Sequence, residues 1–337
     1  MGQSRTDQIR TQIIGNARIT AMENPARIYE LLLDYAGSDT QVTDLSIGLI
    51  WTVCKAGHTG LAMSPGIPTR TLSWPGTLVG KTLAELAGWI TDWEPYKATV
   101  AMAAINCSLN RYELPSGITL LPAANNANLA VFDHFLPRLQ GKKVVVVGRY
   151  PGIERYAGQI NLSIIERQPT QDDYPDPAAE FLLPDADWVF LTASSITNKT
   201  FPRLAELAQH ATTVLMGPTV PWLPELHEFA IDYLAGVEIV NPVKLYQTAA
   251  EGGGVRIFDE AIRYRIVDLT PGNSMMWLKN QITETYTDRQ QLTLAMEQWY
   301  SGGNKGRFPE FNRLNQVTAK LSRMDSSYKR LWDAYSA

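Results

Sequence analysis

Four short segments carry groups that could meet a small molecule. Gly148-Arg149-Tyr150-Pro151-Gly152 follows Lys143-Val-Val-Val-Val147. A turn of this kind between strand and helix presents backbone N–H groups suited to an anion. It is not G-x-G-x-x-G, and Pro151 lacks a donor, so a tightly cradled dinucleotide pyrophosphate is not expected. Glu166 ends the next apolar run, eighteen positions after Gly148, where a carboxylate meets a ribose in many dinucleotide-binding domains and methyltransferases. Thr192-Ala-Ser-Ser-Ile-Thr-Asn198-Lys199-Thr200 offers hydroxyls and amides ahead of a helix, an arrangement suited to a carboxylate, a phosphate or a polar metal complex. Gly217-Pro218-Thr219 makes a fourth turn. Each also has a plain structural reading: a strand-to-helix turn, a surface pair of Glu166 with Arg167, or a helix cap.

Soft metal ligands are scarce. Cys54 and His58 have C-x-x-x-H spacing but fall across an expected hairpin, and His134, His210 and His227 read as helix or helix-end histidines. Glu251-Gly-Gly-Gly254 reads as a helix stop and loop. No nucleophile elbow, Walker A loop, HExxH or acid–base carboxylate pair occurs.

These segments need a scaffold that brings strand ends together. The apolar runs Lys143–Val147, Leu162–Glu166, Trp188–Thr192 and Thr213–Met216 alternate with helical segments around Ala178–Leu183, Pro202–Gln209 and Pro224–Phe229. That rhythm predicts a parallel sheet covered by helices, with a short pair, Tyr233–Ala235 and Glu238–Val240, at its edge. Ahead of it, Ile28, Leu31, Leu32 and Tyr35 have helical spacing, Val42–Cys54 and Gly60–Met63 read as a hairpin, and two helices follow, one with Leu83, Leu86, Ala87 and Ile90 on a face, the other from Tyr96 to Leu109. The weakly patterned stretch 114–126 reads as the linker. The chain is thus expected to be α/β, with an α+β unit over residues 1–115, a Rossmann-like unit over 116–270 and a helical extension over 271–337.

The extension differs in charge: from Asn273 onward it holds nine Lys or Arg against six Asp or Glu, about +3, in a chain of net charge −4. Leu314, Val317, Leu321, Met324, Tyr328, Leu331 and Tyr335 form a heptad-like stripe. It reads either as a helix packed on its own domain or as a surface for a protein partner or for a homodimer. Overall, 337 residues with two cysteines and no run of ~18 apolar residues fit a globular cytoplasmic protein, without a disulfide framework, membrane span or basic field for nucleic acid.

The ordered series VVVVGRYP, IIERQP, YPDPAAEFLLPDADWVFLTASSITNKT, VLMGPTVPWLPEL, YLAGVEIVNP and EGGGVR, with AGWITDWEPYKATVAMAAINC before it, resembles the bacterial and archaeal heavy-metal chelation family, over about residues 25 to 257. The resemblance implies an enolase-N-like domain, a Rossmann-like domain and a cleft between them. Carried over residue by residue, it lines that cleft with Asn106, Gly148, Tyr150, Pro151, Glu166, Thr192, Asn198, Thr200, Gly217 and Pro218. It implies a metal ion or a metal chelate as ligand. One departure is Thr192-Ala193-Ser194, where the family pattern has Thr-Gly, and the tail beyond 270 has no counterpart in it.

Three functions remain open on these grounds: binding or carrying a metal, a metal chelate or its organic precursor; an enzyme using S-adenosylmethionine or NAD with Glu166 on a ribose; and an assembly factor docking a protein through the basic tail.

Overall fold

The computed structural model describes residues 24–115, 117–122, 126–170 and 172–336. Helix α1 (Arg27–Tyr35) buries Ile28, Leu31, Leu32 and Tyr35, the stripe expected from their spacing. Three antiparallel strands follow, β1 (Asp44–Ile47), β2 (Trp51–Ala56) and β3 (His58–Met63). The stretch expected as one strand from Val42 is broken at 48–50 by a turn, so it supplies both β1 and β2. Gly57, at φ +74°, makes the tight reversal between Ala56 and His58.

Helix α2 (Leu83–Ala87) starts with a reciprocal Thr82–Glu85 capping box, and α3 (Pro95–Leu109) starts on the Glu94 carboxylate. The small side chains of α3 let it lie directly on the hairpin. A Cβ at Gly60 would sit 2.0 Å from the Ala103 carbonyl oxygen and 2.2 Å from the Cys107 nitrogen, so glycine is required there.

The larger sheet has eight strands in the order β4-β11-β10-β9-β8-β5-β6-β7. They are β4 (Thr119–Leu120), β5 (Lys143–Val147), β6 (Asn161–Glu166), β7 (Tyr174–Pro175), β8 (Trp188–Thr192), β9 (Thr212–Met216), β10 (Tyr233–Ile239) and β11 (Ile262–Asp268). From β10 to β7 every pairing is parallel, while β11 and β4 are antiparallel. The valines of β5 explain its central place: Val145 and Val147 enter one core, Val144 and Val146 the other. The small sheet joins both, Cys54, Ala56 and Ala62 with the first and Trp51, Val53 and Leu61 with the second.

One reading of this region needs correction. Tyr233–Ala235 and Glu238–Ile239 belong to one continuous strand, β10, because β11 pairs along its whole length, and Val240 lies just beyond it. Residues 224–229 are helical as expected, in a 3-10 helix that begins at a proline and ends where Ala230 turns left-handed at φ 57°.

The tail is helical as expected, its two helices forming a hairpin, α4 to α9 being the shorter helices between β4 and β11 (Ala130–Leu139, Ala179–Leu182, Ser194–Thr197, Phe201–Leu207, Pro242–Ala250, Ile257–Glu260). Helix α10 (Pro271–Ser301) pairs with α11 (Phe311–Ser336) across the Gly-Gly-Asn-Lys-Gly turn. Leu314, Val317, Leu321, Met324 and Leu331 are buried, so the heptad-like stripe faces the chain's own body and α10 and does not provide the docking face considered above. Tyr335 alone of that stripe is largely exposed.

Polar groups fix this hairpin. Arg323 lies 2.6 Å from the Glu225 carboxylate and 2.5 Å from that of Asp34. The Tyr35 hydroxyl donates to Glu225 at 2.8 Å, and Arg330 pairs with Glu228. Lys320 is enclosed, 3.9 Å from the Tyr112 ring and 4.5 Å from that of Tyr35, and donates to the Tyr112 hydroxyl. Burial and the neighbouring Arg111 and Arg323 charges push its ammonium well below the ordinary lysine value.

Candidate functional site

The chain enters the parallel sheet at β5, runs outward through β6, then returns to β8 on the other side of β5. The carboxyl ends of β5 and β8 therefore diverge around a topological switch point, where doubly wound sheets open a crevice. Gly148, at φ +97°, and Thr192 form its floor: a Cβ on Gly148 would stand 3.0 Å from the Thr192 Cβ. Above them opens a cavity of about 520 Å³, roofed by the β2–β3 hairpin and the loop before α3.

Eight of the ten residues expected there line this cavity: Gly148, Tyr150, Pro151, Glu166, Thr192, Asn198, Gly217 and Pro218. Tyr150 is held edge-on against Phe132 at 5.5 Å, its hydroxyl near the Met216 carbonyl. Burial keeps that phenol protonated well above its ordinary range. Gly217, at φ +111°, allows the fourth turn to pass beside the Tyr150 hydroxyl.

Glu166 has a role that its position alone did not reveal. One carboxylate oxygen accepts the Arg149 N–H at 2.7 Å, and the other accepts those of Arg167 at 2.7 Å and Gln168 at 3.3 Å. It staples the β5 and β6 loops together, so the expected ribose contact would compete with three charge-assisted backbone bonds.

The other two expected residues stand outside the wall. Asn106 is buried in α3 and donates to the Leu61 carbonyl at 2.8 Å and the Thr219 carbonyl at 3.1 Å, tying β3 to the fourth turn from behind. Thr200 turns to Asn198, whose side-chain oxygen accepts the Thr200 N–H at 3.2 Å and hydroxyl at 2.6 Å. Neither Thr197 nor Asn198 caps α7; Thr200 occupies the N-cap without a side-chain bond.

The roof was not legible in the strand-end motifs. Trp51, Met63, Ser64, Ile67 and Trp93 come from the N-terminal region, and Val255 and Phe258 from beyond β10. Trp51 donates to the Gly254 carbonyl at 2.9 Å, so the glycine-rich loop after α8 is both the expected helix stop and part of the rim.

The cavity's charges are largely satisfied internally. Arg149 pairs with Asp173 at 2.5 Å and Glu154 at 3.3 Å, and Arg167 with Asp176 at 3.2 Å. Lys199 differs. Its backbone is left-handed at φ 69°, its amine donates to the Ile90 carbonyl and lies 4.5 Å from the Tyr29 ring. Burial pulls the ammonium down to about 8.

No group of three His, Cys, Asp or Glu side chains is placed to hold a metal ion among the described residues. Cys54 and Cys107 are both buried under the hairpin and outside the cavity wall, with Cys107 donating to the His58 carbonyl at 3.2 Å; His58 itself is exposed at the turn. The donor set therefore does not fit a bare soft metal ion. Among the described residues no helix is long and apolar enough to cross a membrane.

Two family profiles, both described as "Putative heavy-metal chelation", match residues 29–109 and 130–268. Among solved structures, a DUF364-family protein of unknown function from Desulfitobacterium hafniense DCB-2 is 28% identical with a TM-score of 0.62, over 73% of this chain and 98% of its own. One from Pyrococcus horikoshii, also of unknown function, is 23% identical with a TM-score of 0.58, over 72% and 99%, and supports the fold. No curated protein matches.

Proposed function

The chain belongs to the heavy-metal chelation family, and from that premise we propose that it binds a metal already wrapped by a small organic ligand, in the cleft between its two sheets. The observation that carries this reading is the contrast between the cavity's size and its donors. About 520 Å³ is ordinary for a small-molecule site and far more than one ion needs. Rings such as Trp51, Trp93, Tyr150 and Phe258 line much of it, beside polar side chains that include Arg149, Glu166 and Lys199, while the two thiols lie elsewhere. A preformed chelate brings its own donor atoms and leaves the protein to recognise shape, apolar surface and outer polar groups. The hydroxyls of Thr192 and Ser194, which line the cavity, suit those outer groups.

The test is native mass spectrometry and elemental analysis of protein purified from its own cells. Wild-type chain is expected to carry metal and an organic species together, and a Val255→Trp variant, which fills the mouth, to lose both. Wild-type protein that carries neither and takes up no chelate on titration would end this reading.

A further inference from the structure

Of the side chains lining the cavity, three are cations and two are carboxylates, and their partners differ sharply. Arg149 and Arg167 are each held by acidic side chains, and Glu166 is occupied by three backbone N–H groups. Lys199 meets a carbonyl and a ring. The carboxylate nearest in influence, Asp92, is engaged by Lys97 at 2.7 Å.

The backbone adds a second, independent sign. A lysine at φ 69° adopts a conformation that L residues with a Cβ rarely hold, and such strain persists where surroundings over-determine it, often at ligand sites. Here it places a half-buried lysine among the residues of the cavity wall, with Asn198 and Trp93, its amine held by the Ile90 carbonyl and the Tyr29 ring. Helix α7 has seven residues and no side-chain cap, so the charge of Lys199 itself is the feature that matters.

We propose that Lys199 is the anion-recognising residue of the cleft, and that the chelate it receives carries an outward carboxylate which pairs with this ammonium. The proposal rests on the chelate-binding reading above and names the class of chelate. A singly charged carboxylate matches one ammonium. A phosphate dianion would leave net negative charge uncompensated among Trp51, Ile67, Trp93 and Phe258, and burying unmatched charge is costly. The two arginines are already committed, so they do not supply the missing charge.

Two inert cobalt complexes test this without free metal. Cobalt(III)–ethylenediaminetetraacetate is a monoanion with outward carboxylate oxygens; cobalt(III) tris(acetylacetonate) is neutral and carboxylate-free. Calorimetric titration of wild-type protein is expected to favour the anionic complex by about tenfold or more, the scale of one charge-assisted hydrogen bond. Lys199→Met should erase that preference while leaving the neutral complex unaffected, and Lys199→Arg should restore part of it. The inference is overturned if Lys199→Met binds the anionic complex as wild type does, or if wild type binds the neutral complex equally well. If wild type binds neither complex, the chelate-binding reading itself falls. The comparison of two complexes on wild-type protein stands even where a variant folds poorly.

Discussion

At the junction of the C-terminal hairpin with the body, Lys320 lies against two tyrosine rings; in the cleft, Lys199 lies against one. Both ammonium groups are pushed down by burial. Their neighbours separate them. Around Lys320 stand Glu225, Arg323, Arg111 and Asp288, fixed charges inside an enclosed network, whereas Lys199 borders open volume and its closest charge is engaged elsewhere. A network closed upon itself serves architecture. Lys199, held only by a carbonyl and a ring, is the cation that the proposal assigns to an incoming group.

The sharpest way to break this contrast is to open the closed network. Arg323→Met leaves Glu225 buried without its cation, and removing one partner of such a pair costs about 3–5 kcal/mol. Urea denaturation should register that loss, while chelate affinity of the folded fraction stays at the wild-type value. A matching loss of affinity would show the junction and the cleft to be one coupled unit.

Glu166→Gln probes the reverse case, a cleft residue with an architectural task. It weakens three backbone hydrogen bonds at once and is expected to cost about 1–3 kcal/mol. Unchanged stability would return Glu166 to the ligand-contact role suggested by its position.

A pH titration of stability reads Lys320 directly. Its native value lies below 10.5, so between the two values the unfolded chain holds a proton that the native chain has released. Stability therefore rises with pH through that window and falls as pH drops through the native value. Below pH 10 the facing Tyr35 and Tyr112 keep their protons in both states, because burial pushes both phenols upward. Lys320→Met should flatten the slope measured there; an unchanged slope would mean that Lys320 keeps its proton throughout.

The smallest expected stability change is at the rim. Trp93 is 81% exposed, so Trp93→Ala should alter stability by no more than about 0.5 kcal/mol. It should nonetheless weaken chelate binding severalfold. Equal binding would remove the rim from the recognition surface.

The parts legible in the sequence follow physical rules of short range. Runs such as Val144–Val147 announce buried parallel strands, and the glycines and hydroxyls after them mark strand-end turns; of the ten cleft residues that the family resemblance implied, eight share one cavity wall. Asn106 and Thr200 escaped because their side chains turn to Leu61, Thr219 and Asn198, choices set by tertiary contact. Trp93, Ile67 and Phe258 escaped because the roof assembles from segments with no common motif. Strand β11 did carry a signal, since Ile262, Tyr264 and Ile266 alternate with Arg263 and Arg265, but its antiparallel place was hidden by the preceding parallel rhythm. The tail's stripe was ambiguous because a heptad-like pattern records only that one face seeks cover, and here α10 and the body supply it.

The borders of the large sheet carry one more consequence. It ends in β4 on one side and β7 on the other, two residues each, and Pro175 leaves β7 without one main-chain donor. A foreign strand arriving at either border would find too short a template to extend. Crowding should therefore promote little main-chain polymerisation of the native protein, and fibrils, if they form at all, should require prior unfolding of the five parallel strands between.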